Sequence, residues 1–343
     1  MRVEDIRQRL RTLGALPVHE ERILRKWARG QAQMSGRRKM DNFLPKPLLN
    51  ALPGIEADLN KLLRVQSEHP GADGSSRLLV ALDGGQSIET VLLPRDGVCV
   101  SSQVGCAVGC VFCMTGRSGL LRQVGSAEMV AQVVLARQRR PLRKVVFMGM
   151  GEPAHNLDNV LEAIEVLGTL GGIGHKNLVF STVGDLRVFE RLPLGVVKPA
   201  LALSLHTTQA ALRAKLLPRA PHIDPAELVT MAEAYARRTG YPIQYQWTLI
   251  SGVNDGDDEL DAIVQLMRGK FALMNMIPFN AIEGTDFQRP TDERCAAIAR
   301  SLNQRGVLTK LRQSAGQDVD AGCGQLRARQ SPLAMPLRFA AGR

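Results

Sequence analysis

Cys106, Cys110 and Cys113 stand at the spacing CxxxCxxC. Thiolates are soft ligands that suit iron–sulfur clusters, zinc or copper. A 4Fe-4S cube has four irons, and this stretch supplies three thiols. A cube held here keeps one iron free of protein ligands. Such an iron can bind a small molecule, and S-adenosylmethionine offers an amino group and a carboxylate that chelate it. Two plainer readings stand beside this one. A structural zinc site closes four ligands, usually from two knuckles, and no second CxxC or HxxxH is present. Ordinary buried cysteines are the other.

Three further cysteines lie outside the motif. Glycines flank Cys323 in the run Asp320–Leu326, so its thiol should be accessible. Cys99 sits just ahead of the motif, and Cys295 falls on an apolar helix face and reads as core. Spare thiols are usually inert, but Cys99 and Cys323 near a cluster can be a nucleophile and its resolving partner. Other polar residues follow apolar runs. Gly151 and Glu152 belong to the turn Met148-Gly149-Met150-Gly151-Glu152-Pro153, whose glycines allow backbone to approach a ligand while Glu152 accepts from an amine. Ser181, the run Ser204-Leu205-His206 and Asn280 end three more apolar runs. Glu89 interrupts a fourth and reads as an exposed strand carboxylate.

The elements that must position these groups alternate. Strands are predicted at 145–148, 178–182, 200–205, 243–250 and 272–279. Helices are predicted at 126–140, 157–169, 185–192, 224–239, 257–268 and 291–305. Ser126 reads as an N-cap, and Asp224-Pro225 as an N-cap/N1 pair. This is α/β architecture, a partial (β/α)6 barrel, with sites at the carboxyl ends of its strands. Residues 61–98 form a strand-rich connector: a strand at 78–82, a turn at Asp83-Gly84-Gly85 and a return strand at 88–93. Val91 to Val100 also reads as one strand leading into the cysteines. Residues 1–60 form a small N-terminal helical accessory domain, with apolar faces at Ile6, Leu10 and Leu13 and at Ile23, Leu24 and Trp27. Pro45, Pro47 and Pro53 break its pattern. The barrel core spans 99–330, and 331–343 is a basic tail.

The chain has 343 residues and a formal net charge of +11, with 45% apolar and 4% aromatic residues. No apolar run approaches the ~20 residues of a membrane span, and no signal-peptide core opens the chain. Six cysteines in a chain of this length imply no disulfide scaffold, and a reducing cytoplasm is expected. The basic balance favours a polyanion partner. Basic residues cluster at Arg22, Arg25, Lys26 and Arg29, at Arg37, Arg38 and Lys39, and at Arg137, Arg139, Arg140 and Arg143. Few aromatics argue against an array of base-stacking rings.

The stretch from Cys99 to Gly116 closely resembles the RlmN/Cfr family of radical-SAM RNA adenosine methyltransferases. So do Gly149–Pro153, Leu203–His206, Gly252–Asp255, Ile277–Asn280 and the Cys323 segment, in order over about residues 78–326. The resemblance implies a radical-SAM barrel with one 4Fe-4S cluster on Cys106, Cys110 and Cys113. It implies that Gly151, Glu152, Ser181, Ser204, Leu205, His206 and Asn280 contact S-adenosylmethionine. Cys323 would carry a methyl group, Cys99 would be its disulfide partner, and Glu89 would accept the ring proton. Two S-adenosylmethionine molecules serve each turnover: one methylates Cys323, and reduction of the other starts radical transfer of that carbon to adenosine. The expected product is methylated at carbon 2 in 23S rRNA and/or tRNA, with Cfr-like methylation at carbon 8, or another radical-SAM reaction, as alternatives. An external reductant such as flavodoxin or ferredoxin, and a monomeric enzyme, complete the expectation. The sequence departs from the family at Ala315-Gly316-Gln317-Asp318, where an Arg-Gly-Asp-Asp-like run is usual, and at Met114, where a small residue is common.

Overall fold

A computed structural model of the chain describes residues 1–35 and 43–328. The basic run at Arg37, Arg38 and Lys39 and the tail at 331–343 lie outside the described residues.

Three helices open the chain: α1 (Val3–Thr12), α2 (Pro17–Ala28) and α3 (Lys46–Lys61). Their apolar faces bury Ile6, Leu10, Ile23, Leu24 and Trp27 as the spacing predicts. The prolines do not end this region as expected. Pro45 is the N-cap of α3 and Pro47 lies in its first turn, where an amide has no intrahelical acceptor to lose. Pro53 sits inside the helix. It is tolerated because Leu48, Leu52, Ile55 and Leu59 bury the same helix face.

Next, β1 (Leu63–Pro70), β2 (Ser76–Leu82), β3 (Ser87–Leu93) and β4 (Gly97–Cys99) form an antiparallel meander. The single strand expected over Val91–Val100 is in fact β3 and β4, because Arg95 and Asp96 both take φ of 60° and reverse the chain. A two-stranded ribbon of β5 (Gln103–Gly105) and β6 (Leu120–Gln123) brackets the CxxxCxxC loop.

The alternation then proceeds as α4 (Ser126–Arg137), β7 (Lys144–Phe147), α5 (Leu157–Thr169), β8 (Leu178–Thr182), α6 (Leu186–Arg191) and β9 (Ala200–Ser204). It continues through α7 (Ala210–Leu216), α8 (Pro225–Thr239), β10 (Ile243–Leu249), α9 (Asp257–Met267), β11 (Ala272–Pro278), α10 (Asp292–Gln304) and β12 (Thr309–Leu311). One sheet runs in the order β1-β2-β3-β4-β7-β8-β9-β10-β11-β12. It is parallel from β4 onward. Six parallel strands carry a following helix, which is the expected (β/α)6 core, and the short β12 extends it.

Loops tie the two ends of the sheet together. In the β1–β2 turn, the Ala72 amide donates to Asp318 at 2.9 Å, and Asp73 accepts from the Gly316 amide at 3.0 Å. Arg77 on β2 donates to the Val319 carbonyl at 2.6 Å. The N-terminal helices pack on α4 and α5, and one hydrophobic core runs from them into the sheet. Ser126 is not the N-cap of α4; Gly125 is. The Ser126 hydroxyl instead accepts from the Val3 amide and donates to Glu162, joining the helices to the barrel. Asp224 caps α8 as predicted, accepting from the Ala226 amide at 2.8 Å. No helix among the described residues is long and apolar enough to cross a membrane.

Candidate active site

The cysteine loop, residues 106–113, lies over the carboxyl ends of the parallel strands. Cys106, Val108 and Phe112 pack against Val183 after β8, Leu216 and Leu217 at the end of α7, Ile250 after β10 and Phe279 after β11. Two close backbone approaches fold the loop. A Cβ on Gly116 would lie 2.7 Å from the Gly109 Cα, and one on Gly324 would lie 2.8 Å from the Phe112 carbonyl oxygen.

The three thiols interact electrostatically with one another. Burial pushes Cys106 up to about 12 and raises Cys110 and Cys113 too. Each therefore stays a neutral thiol until a cationic group compensates the thiolate. Three thiols on one short loop, with no second knuckle in the sequence, leave a zinc site short of its usual four ligands and can each take a separate iron. The donor set thus fits a 4Fe-4S cluster.

Arg213 on α7, which the sequence did not single out, is a buried cation beside this loop. It donates to the Val183 and Ser204 carbonyls. Burial pushes it down to about 10, while the Cys110 and Glu152 charges pull it up. An arginine in an alanine-rich helix gives no sequence signal of this placement.

The predicted ligand-contact residues gather at the same end of successive strands. Glu152 follows β7 and is buried. Its carboxylate accepts from the Ala154 and Val183 amides, each at 3.0 Å. Burial pushes it up to about 7, against bonds from Thr182 and those two amides. Gln103 orients it by accepting from the Glu152 amide at 2.7 Å. The glycines beside Glu152 have a local reason. A Cβ on Gly151, at φ +104°, would lie 2.6 Å from the Gln103 Cβ, and one on Gly149 would lie 2.7 Å from the Ser101 hydroxyl. They admit the chain's own backbone; no ligand is needed to explain them.

Ser181 lies in β8 and Ser204 ends β9. Leu205 is fully buried, its amide donating to the Gln246 carbonyl at 3.0 Å. His206 takes φ of 64°, a left-handed conformation held by Asn254, which donates to the His206 carbonyl at 2.7 Å. Its Nδ1 accepts from the Thr248 amide at 3.0 Å. Burial pushes the imidazole down to about 3, with the Arg213 charge adding, so it is neutral. It meets the Phe112 ring edge-on at 4.8 Å. Asn280, after β11, donates to Ser314 at 2.8 Å and to the Cys323 carbonyl at 2.9 Å. Its buried Oδ1 has no partner among the described residues.

Cys323 is exposed, and its charge acts on both Cys113 and buried Cys99. Burial pushes Cys99 up to about 12. All six cysteines are free thiols, so the Cys99–Cys323 pairing implied by the resemblance is not formed in this structure. Cys295 is core, as predicted. Glu89 corrects its expectation. It is 1% exposed, not a solvated strand carboxylate. It pairs with Arg77 and accepts from the Arg327 and Ala328 amides at 2.7 and 3.0 Å.

Among the described residues, several members of the basic clusters make structural contacts. Arg29 donates to the Leu170 carbonyl at 2.9 Å, and Arg137 donates to the Ala28 and Gly171 carbonyls. Arg139 pairs with Glu68, and Arg140 donates to the Gly74 carbonyl at 2.9 Å.

Comparisons with known proteins agree with this arrangement. Residues 100–266 match the model of the radical SAM superfamily. A "Probable RNA methyltransferase" of Leptothrix cholodnii is 69% identical over 330 residues, covering 96% of this chain and 95% of that protein. A protein of the same name from Stutzerimonas stutzeri is 65% identical over 331 residues, covering 96% and 97%. The crystal structure of a radical SAM methyltransferase from Sphaerobacter thermophilus superposes with a TM-score of 0.82 at 34% identity, covering 96% of this chain and 98% of that one. With its three-thiol loop at the carboxyl ends of a (β/α)6 sheet and relatives matched along nearly its whole length, this chain belongs to the radical-SAM superfamily, in the methyltransferase family it forms with these proteins.

Proposed function

We propose that the protein methylates a ring carbon of adenosine in RNA, carbon 2 in 23S rRNA and/or tRNA, through a methylated Cys323. It uses two S-adenosylmethionine molecules and an external reductant such as flavodoxin or ferredoxin. The observation that carries this reading is the position of Cys323: an exposed, glycine-flanked thiol within electrostatic reach of Cys113 on the cysteine loop and of buried Cys99. The names of the relatives support RNA as the substrate class.

Cys106, Cys110 and Cys113 would hold the cluster, and Gly151, Glu152, Ser181, Ser204, Leu205, His206 and Asn280 would bind S-adenosylmethionine. When bound, these groups supply methyl transfer and one-electron chemistry that no amino-acid side chain provides. The chain's own residues do the rest. Cys323 carries the methyl carbon as a thioether, which is covalent catalysis. Glu89 takes the adenine ring proton. Cys99 attacks the Cys323 sulfur, freeing the product and leaving a disulfide. His206, held neutral, donates from Nε2 without adding charge. The apolar packing of Phe112, Leu216, Ile250 and Phe279 keeps water from the loop. The target base must leave its stack to reach this depth, which favours a loop or single strand.

Peptide mass spectrometry of the reconstituted enzyme tests the reading. Cys323 should gain a methyl group, and Cys323→Ala should lose RNA methylation while still producing 5′-deoxyadenosine. Cys99→Ala should stall as an RNA–protein crosslink that survives denaturation. A Cys323→Ala enzyme that still methylates RNA removes the proposal, and nucleoside analysis of the product separates carbon 2 from carbon 8.

A further inference from the structure

The segment that carries Cys323 hangs between two stems, and both stems are tied to one ion pair. Arg77 on β2 and Glu89 on β3 are diagonal neighbours, since Arg77 pairs with Val91 and Leu79 with Glu89. Their side chains are 11% and 2% exposed. Arg77 uses its guanidinium fork twice: Nη1 goes to Glu89, and Nε goes to the Val319 carbonyl at 2.6 Å. Glu89 receives Arg77 on Oε1. On Oε2 it receives the amides of Arg327 at 2.7 Å and Ala328 at 3.0 Å. One stem, Val319, is thus held by Arg77, and the other, Arg327–Ala328, by its partner.

The pair is itself rooted. The Glu89 carbonyl accepts from the Ser101 hydroxyl at 2.5 Å, and its amide donates to the Met150 sulfur at 3.4 Å. These bonds index the pair to the loops after β4 and β7. The stems also bear the mark of an imposed geometry. Asp320, next to Val319, and Ala328 both take φ of 55°, a conformation that a side chain with a Cβ adopts at a cost. Between the stems, Met114 donates to the Gly324 carbonyl at 2.7 Å and Asn280 to the Cys323 carbonyl at 2.9 Å.

We propose that Arg77 is a positioning residue: through Glu89 and Val319 it sets the span and tilt of the Cys323 segment, and so the place of the thiol between Cys99 and the cysteine loop. This rests on the assignment of Cys323 as methyl carrier. A bidentate fork is what the role needs, because one group must hold a carboxylate and a carbonyl at fixed separation. Lysine has three donors, but all on one rotatable nitrogen, and lacks the planar fork that fixes the separation of two acceptors.

The test uses full-length, anaerobically reconstituted enzyme carrying Arg77→Gln or Arg77→Lys. Two readouts separate positioning from general destabilisation. The first is coupling: 5′-deoxyadenosine formed per methylated RNA should rise at least about tenfold in Arg77→Gln, because radical initiation persists while carbon delivery fails. A merely structural role lowers both together and leaves the ratio unchanged. The second, read on protein made without S-adenosylmethionine transfer so that Cys323 is still a thiol, is its alkylation rate by iodoacetamide, which should change several-fold while folded content by circular dichroism does not. Arg77→Lys should restore the charge but not the coupling. If Arg77→Gln fails to fold, hydrogen exchange on the unmodified enzyme decides: a peptide spanning 325–328 should be protected, and free exchange there overturns the clamp. An unchanged coupling ratio with unchanged alkylation overturns it as well. Absence of any methyl on wild-type Cys323 would instead remove the functional reading, leaving exchange and alkylation to report on the clamp alone.

Discussion

Asn280 holds the Cys323 carbonyl at 2.9 Å with its amide nitrogen, while its buried amide oxygen faces no donor among the described residues. A buried acceptor left unpaired is costly. Its position at the carboxyl end of β11 makes a bound S-adenosylmethionine the natural donor. Asn280→Ala should therefore weaken S-adenosylmethionine binding by about 5- to 30-fold, the worth of roughly 1–2 kcal/mol. Anaerobic equilibrium dialysis of the reconstituted enzyme measures it. Unchanged affinity would assign Asn280 to packing of the Cys323 segment alone.

Cys110→Ala should abolish cluster content and 5′-deoxyadenosine formation together. Cys110 interacts with both other thiols and with Arg213, so its loss removes a corner of the donor set. Iron and sulfide analysis with the visible spectrum reads the outcome. A full complement of tightly held zinc without iron, after anaerobic reconstitution of the wild type, would sink the cluster assignment.

Two buried groups set opposing pH dependences on folding. His206 is depressed from 6.5 to about 3. Its contribution is complete above about 6.5 and is lost as pH falls, because the unfolded chain takes up a proton that the folded chain refuses. Glu152 is raised from 4.5 to about 7. Its effect has the other sign: the folded carboxyl keeps its proton, so stability declines as pH rises from about 4.5 to about 7. Between about 4.5 and 6.5 the slopes are each about 1.4 kcal/mol per pH unit and nearly cancel. Glu152→Gln should expose stability that rises with pH across this window, and His206→Asn stability that falls. Urea titrations of the cluster-free, reduced protein at several pH values check both, and parallel profiles in all three proteins would contradict the burial argument.

The basic residues divide into two classes. Arg137 ties the N-terminal helices to α5 through two carbonyls. Arg137→Ala should cost about 2 kcal/mol of stability and leave RNA affinity nearly unchanged. Neutralising Arg37, Arg38 and Lys39 should do the reverse. RNA affinity itself should fall steeply between ~50 and ~200 mM salt, as phosphate contacts require. Affinity indifferent to salt would point away from a nucleic acid.

The α/β alternation was legible because β7, β8 and β9 are short apolar runs, β10 alternates apolar and polar residues, and most of the helices are amphipathic; the predicted ranges differ from the observed ones by a few residues, and the short α7 was not predicted. The CxxxCxxC loop stood out because three thiols within eight residues, with no second knuckle, suit a cluster with one open iron better than a four-ligand zinc site. What escaped depends on partners distant in sequence. Glu89 looks solvated until Arg77 and the chain near residue 327 are brought to it. Arg213 looks like a helix-surface cation until α7 folds over the cysteine loop. Pro53 looks like a stop until tertiary burial of α3 outweighs one lost hydrogen bond. The hairpin at Arg95-Asp96 was signalled by Pro94-Arg95-Asp96-Gly97, a proline and an Asp-Gly pair of the kind turns use, and reading Val91–Val100 as one strand overlooked it.

The contacts that join the β1–β2 turn to residues 316–319 link positions as much as 246 residues apart. These bonds can close only once the chain has been made through residue 318. The cysteine loop waits on the same stretch, because Met114 donates to the Gly324 carbonyl and Thr115 to the Leu326 carbonyl. A polypeptide cut short before residue 320 therefore lacks both the methyl carrier and part of what shapes the loop beside it.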